Sequence, residues 1–157
     1  MKPRVYIETS VVSYLKARPS NDMIVAAHQE LTRTWWHEHA SRFEMVISEL
    51  VHREAEAGDP VAAASRLDAL AGMGILTISA AAESLAEMLV SNGPIPPEYA
   101  EDALHIAVAA TNGVDYLVTW NCKHLANAAH RHRIEVLVES AGYACPIICT
   151  PEELMED

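Results

Sequence analysis

Short apolar runs of strand length alternate with longer stretches of helical period, and this alternation restricts the fold more than any other feature of the chain. The runs are Arg4 to Ile7, Met45 to Ile47, Ile75 to Ile78 and "DYLVT" from Asp115, followed by "IEVLV" from Ile134 and a short extended "PIICT" from Pro146. Between them, Val11 to Ala17 reads as a short helix broken at Pro19, and "SND" offers a cap for a long helix reaching about His39. Ser48 caps a helix carrying Glu49, His52 and Glu54, and Asp59-Pro60 opens the next, which closes at Gly72 to Gly74. Further helices are expected over Ala81 to Leu89, "PEYAEDALHIAVAATNG" and "KHLANAAHRHR". Strands separated by helical crossovers imply a single α/β domain over residues 1–157, a three-layer α/β/α arrangement with a central, mainly parallel sheet. Ligands of such sheets gather beyond the carboxyl ends of the strands.

Composition narrows the function classes. Half of the 157 residues are apolar, enough for a buried core, yet no run approaches a membrane span and no cleavage-site pattern follows the N-terminus, so a cytoplasmic protein is expected. Three cysteines, Cys122, Cys145 and Cys149, are too few for a disulfide framework, and Cys145 and Cys149 have no second pair with which to hold zinc. A formal charge of −11 argues against indiscriminate binding to phosphate backbones.

The stretch "VYIETSVVSYL" places Glu8 at the end of the first strand, where a carboxylate must be paired, hydrogen-bonded or bound to a cation. Glu54, Asp102, Thr119 and Asn121 reach the same edge if the sheet is parallel. Crowded carboxylates repel, and a hard divalent ion, Mg²⁺ or Mn²⁺, resolves the repulsion. Such an ion activates water and neutralises charge on a phosphoryl oxygen, which makes phosphodiester hydrolysis the natural chemistry.

"VYIETSVVSYL", "VISELVHREAEAGD" and "AEDALHIAVAATNGVDYLVTWNCKHLAN", in that order, resemble PIN-domain proteins, especially the VapC-like ribonucleases of type II toxin-antitoxin pairs. The resemblance runs from about Val5 to Asn127. It implies Mg²⁺- or Mn²⁺-dependent cutting of single-stranded or loop RNA, a cognate antitoxin and a homodimer. By position it assigns Glu8, Glu54, Asp102 and Asn121 to catalysis, the first three as metal ligands, and Thr9, Ser10, Thr119 and Lys123 to the substrate. Glu8 stands where the family usually has the shorter aspartate, Asn121 where many members carry an acid, and Lys123 near a position where a second acid is common. These departures keep open a second reading, a weakly active or inactive PIN fold that binds RNA or an antitoxin.

Bland roles compete at each position. Glu8 can simply cap the helix after it, and Glu49 rivals Glu54 but sits in a first helical turn, where the dipole alone favours an acid. Asp102 is expected on the inward face with Ile106, which leaves Glu101 solvated. His105 is either a satisfied half-buried histidine or a substrate contact, and Trp120 either packs or stacks on a base. Trp35 and Trp36 offer a docking face or ordinary core. Lys123, His124 and the run His130 to Arg133 form a basic concentration that serves either solvent or a phosphate backbone. Acid-x-x-His pairs at Glu49/His52 and Asp102/His105 have the spacing of di-iron bundles, but the intervening strands contradict a bundle.

Overall fold

The structure is a computed structural model that describes residues 1–156. Its five strands are β1 (Arg4–Ile7), β2 (Glu44–Ser48), β3 (Gly74–Leu76), β4 (Tyr116–Val118) and β5 (Ile147–Cys149), in the order β3-β2-β1-β4-β5. Every pairing is parallel. The crossovers are helical: α1 (Thr9–Lys16) and α2 (Met23–Thr34) precede β2, α3 (Glu49–Ala55) and α4 (Pro60–Leu70) precede β3, α5 (Ala80–Ser91) and α6 (Ala100–Thr111) precede β4, and α7 (Ala128–Ser140) precedes β5.

Strand order follows from burial. Val5, Tyr6 and Ile7 are all fully buried, as suits a central strand covered on both faces. Edge strands β3 and β5 are three residues long and expose Ile75 and Ile147, too short a stretch to invite pairing with another chain. The helix starts are set by side chains: Asp22 accepts from Val25 N, Ser48 from Val51 N, Asp59 from Ala62 N and Ser79 from Ala82 N. Gly72, at φ +84°, takes the left-handed conformation that turns the chain from α4 toward β3.

One expected strand is a helix. "IEVLV" has strand propensity, yet it lies inside α7, where Ile134 and Val138, four apart, are buried while Glu135 and Val136 are exposed. Burial of one helical stripe outweighs the weak preference of branched side chains for strands. The helix expected from Lys123 starts later, at Ala128, capped by Asn127; "PIICT" contains β5. Trp35 is core, fully buried against Phe43 at 6.2 Å between ring centroids, and Trp36 packs edge-on against it. No described helix is long and apolar enough to cross a membrane.

Candidate active site

The register of the sheet builds the site. Ile7 pairs with Val118, so the next residues, Glu8 and Thr119, emerge side by side at the carboxyl edge. Glu8 caps α1 with Oε2, which accepts from Ser10 N at 3.1 Å, while Oε1 accepts from the hydroxyls of Ser10 and Thr119, each at 2.5 Å. Only 7 % of Glu8 is exposed. One oxygen therefore serves the cap while the other is held by two hydroxyls at the sheet edge.

Glu54 comes from the far end of α3. Its Oε1 accepts from Thr9 Oγ1 at 2.5 Å and faces His105 Nε2 at 2.8 Å. His105, on α6, is 1 % exposed and its Nδ1 lies 2.7 Å from the hydroxyl of Tyr6, which in turn lies 2.7 Å from Ser48 Oγ. One polar column thus crosses the core from Ser48 through Tyr6 and His105 to Glu54. Burial opposes ionisation of Glu54, but the hydrogen bond and charge of His105, with the Thr9 hydroxyl, hold its carboxyl below the usual range. Burial likewise opposes a charged His105, but the bond to Glu54 and the charges of Glu8, Glu54 and Asp102 outweigh it and raise its pKa. Tyr6 is pushed up by burial and by Glu8 and Glu54 against the pull of Ser48, so its hydroxyl keeps its proton.

Ligand atoms of Glu8, Glu54 and His105 lie within 4.8 Å of one another, the only such trio of acids, histidines or cysteines among the described residues. Opposite ligands of an octahedral ion at 2.0–2.1 Å are ~4.2 Å apart, so small side-chain rotations close the trio on one ion. The donor set fits a divalent cation. Asp102, expected as the third metal ligand, is not in this trio. Its Oδ2 instead accepts from Asn121 Nδ2 at 3.1 Å and faces His124 Nδ1 at 3.0 Å, and Asn121 Oδ1 accepts from His124 N at 3.0 Å.

Other sequence-predicted residues sort by contact. Thr9, Ser10 and Thr119, assigned to the substrate, spend their hydroxyls on the two glutamates. Lys123 is exposed, 6.0 Å from the centroid of the Tyr99 ring. Glu49 is exposed and outside the trio. Trp120 is buried, stacked on His28 at 4.1 Å, with Nε1 donating to Thr32 Oγ1, so packing is its observed role. Arg131, from the basic concentration, donates to Ile148 O.

The structure adds to the sequence reading at two residues, Glu101 and His105. Glu101 is exposed as expected, but the neighbouring Glu54 carboxylate, together with partial burial, raises its carboxyl's pKa. The signal was available: Glu101 and His105 are four apart and share a helix face. His105 was weighed as a half-buried group or a substrate contact, and the structure makes it fully buried and part of the trio.

The fold is a parallel α/β domain with a cluster of acids at the carboxyl edge of its sheet. No protein-family model and no curated protein matches the chain. Among solved structures it resembles VapBC2 from Rickettsia felis, solved bound to a DNA fragment from their promoter, at a TM-score of 0.53 and 20 % identity over 76 % of this chain and 89 % of that one. It also resembles VapC20 of Mycobacterium tuberculosis, a toxin that cleaves the sarcin-ricin loop, at a TM-score of 0.55 and 18 % identity over 89 % and 96 %. The chain has the PIN-domain fold of VapC toxins.

Proposed function

We propose that this protein is a divalent-metal-dependent endoribonuclease, the toxin of a type II toxin-antitoxin pair, cutting single-stranded or loop RNA in the cytoplasm. The observation that supports it most is the convergence of Glu8 and Glu54, 46 positions apart in sequence, at the edge where such sheets bind ligands. Glu8 and Glu54 would hold the ion, Mg²⁺ or Mn²⁺. When bound, the ion offers positive charge to the phosphoryl oxygens and makes a water more acidic. The chain's own residues do the positioning. Ser10 and Thr119 fix Glu8, Thr9 and His105 fix Glu54, and Asn121 and His124 orient Asp102, whose charge acts on His105 from one turn earlier on α6. Lys123 stands exposed beside this edge, available to a phosphate.

A partner surface adjoins the site. A groove of about 660 Å³ between α5 and α6 has Ala86, Val90 and Leu104 in its lining and Glu83, Glu87 and Glu101 around it. Its charge suits a basic, amphipathic antitoxin segment. A homodimer completes the reading.

A second reading has its own support: Glu54 faces His105 and Asp102 faces His124, so the acids already have partners inside the chain. That favours a PIN fold that binds RNA or an antitoxin without efficient cutting. Purified protein incubated with a labelled stem-loop RNA separates the two. The nuclease reading expects cleavage in Mn²⁺ or Mg²⁺ that stops in EDTA; RNA retained intact in every metal, with binding, favours the second.

A further inference from the structure

Beside the two glutamates of the proposed ion site stands a nitrogen donor, His105, and its surroundings bear on what that nitrogen can do. His105 Nε2 lies 2.8 Å from Glu54 Oε1. Adjacent ligands at ~2.1 Å on an octahedral ion are ~3.0 Å apart, so the two atoms already have nearly the spacing of neighbouring ligands. The imidazole is fully enclosed, with its other nitrogen held by Tyr6, and Tyr6 is held by Ser48.

The same heavy atoms accept two hydrogen arrangements. With the imidazole proton on Nε2, His105 donates to Glu54, Tyr6 donates to Nδ1 and Ser48 donates to Tyr6. With it on Nδ1, His105 donates to Tyr6, Tyr6 donates to Ser48, and Nε2 presents a lone pair to the space beside Glu8 and Glu54. The second arrangement is the one that metal-binding histidines need, since their remote N–H is ordinarily fixed by a hydrogen-bond acceptor. No heavy atom of the column has to move for the change.

The geometry points to His105 as the third ligand of the ion, making the site favour transition ions such as Mn²⁺ over Mg²⁺, with Tyr6 and Ser48 as its positioning residues. Two carboxylates alone suit Mg²⁺ and Mn²⁺ alike, whereas imidazole is a softer donor that Mg²⁺ rarely takes. This inference rests on the metal-binding part of the proposed function but is independent of RNA cleavage.

Calorimetric titration of the full chain with MnCl₂ and with MgCl₂, without RNA, reads the preference. His105→Gln is expected to weaken Mn²⁺ binding by about 100-fold and Mg²⁺ binding by less than about threefold; Tyr6→Phe, which keeps the imidazole but removes the acceptor for its Nδ1 proton, by about tenfold for Mn²⁺. The Mn²⁺/Mg²⁺ ratio within one variant is unaffected by how much of it is folded. Spin-echo EPR of the wild-type protein loaded with Mn²⁺ should show coupling to an imidazole nitrogen that changes when histidine is labelled with ¹⁵N, and this needs no variant. Coupling that is absent in the wild type, or persists in His105→Gln, overturns His105 as a ligand. An unchanged Mn²⁺/Mg²⁺ ratio in His105→Gln overturns the selectivity, and failure of both ions to bind the wild type overturns the metal site itself.

Discussion

Glu54→Gln is expected to lower the rate of RNA cleavage by about 10²–10³-fold, the size of effect that follows loss of one well-placed electrostatic group in an active site. The substitution is nearly isosteric. Its side-chain oxygen can still accept from Thr9, so circular dichroism should show an intact fold while single-turnover cleavage collapses. Loss of the charge also changes metal-free stability in a way that fixes the sign of the pH dependence. In EDTA, Glu54's depressed folded pKa gives stabilisation present above its unfolded value near 4.5 and lost as pH falls through the folded value. His105's raised pKa gives stabilisation present below 6.5 and lost as pH rises through its folded value. Both contributions are therefore complete between about pH 4.5 and 6.5. Urea titrations of wild type and Glu54→Gln across pH should show the largest gap in that window. A gap that instead grows toward pH 9 would contradict the pairing of Glu54 with His105.

The second large effect concerns the opposite end of the molecule. Trp35→Ala should cost about 3–5 kcal/mol, because it deletes the largest fully buried side chain from a packed core. Trp35 packs on Phe43, and Phe43 on Tyr116, which begins β4, so this cluster lies at the amino ends of the strands, a sheet's length from Glu8. Cleavage per folded molecule should be unchanged, while the urea midpoint falls steeply. Trp35 Nε1 is buried with no hydrogen-bond partner among the described residues, so Trp35→Phe removes an unsatisfied group along with some volume and should cost far less than the alanine. Equal losses for phenylalanine and alanine would show that packing of the ring contributes little there.

What the sequence disclosed and what it concealed divide along physical lines. The sheet was legible because a fully buried parallel strand needs a continuous apolar run, and "VYI", "MVI" and "YLV" are such runs. Helix starts were legible where a short polar side chain precedes a helical period, as at Asp22, Ser48 and Asp59. "IEVLV" misled because four of its five residues are apolar and satisfy both periods, and only the spacing of Ile134 and Val138 toward the core separates them. Glu8 stood out as a lone acid closing an apolar strand, whereas Glu54, set among His52, Arg53 and Glu56, was singled out through the resemblance to PIN-domain proteins. His105 was harder to assign: its role depends on Tyr6, 99 positions away, and a tyrosine inside an apolar strand looks like core until its hydroxyl is seen 2.7 Å from the ring nitrogen. The placement of Asp102 depends in the same way on Asn121 and His124, whose convergence on one carboxylate oxygen is a property of the loop after β4 rather than of any local pattern.

The most direct measurement of the central claim is anomalous diffraction from crystals grown with Mn²⁺, which locates the ion without reference to any activity. The account predicts a peak at ligand distance, ~2.1–2.3 Å, from carboxylate oxygens of both Glu8 and Glu54. A peak at some other group of residues, with none between these two glutamates at saturating Mn²⁺, would contradict it.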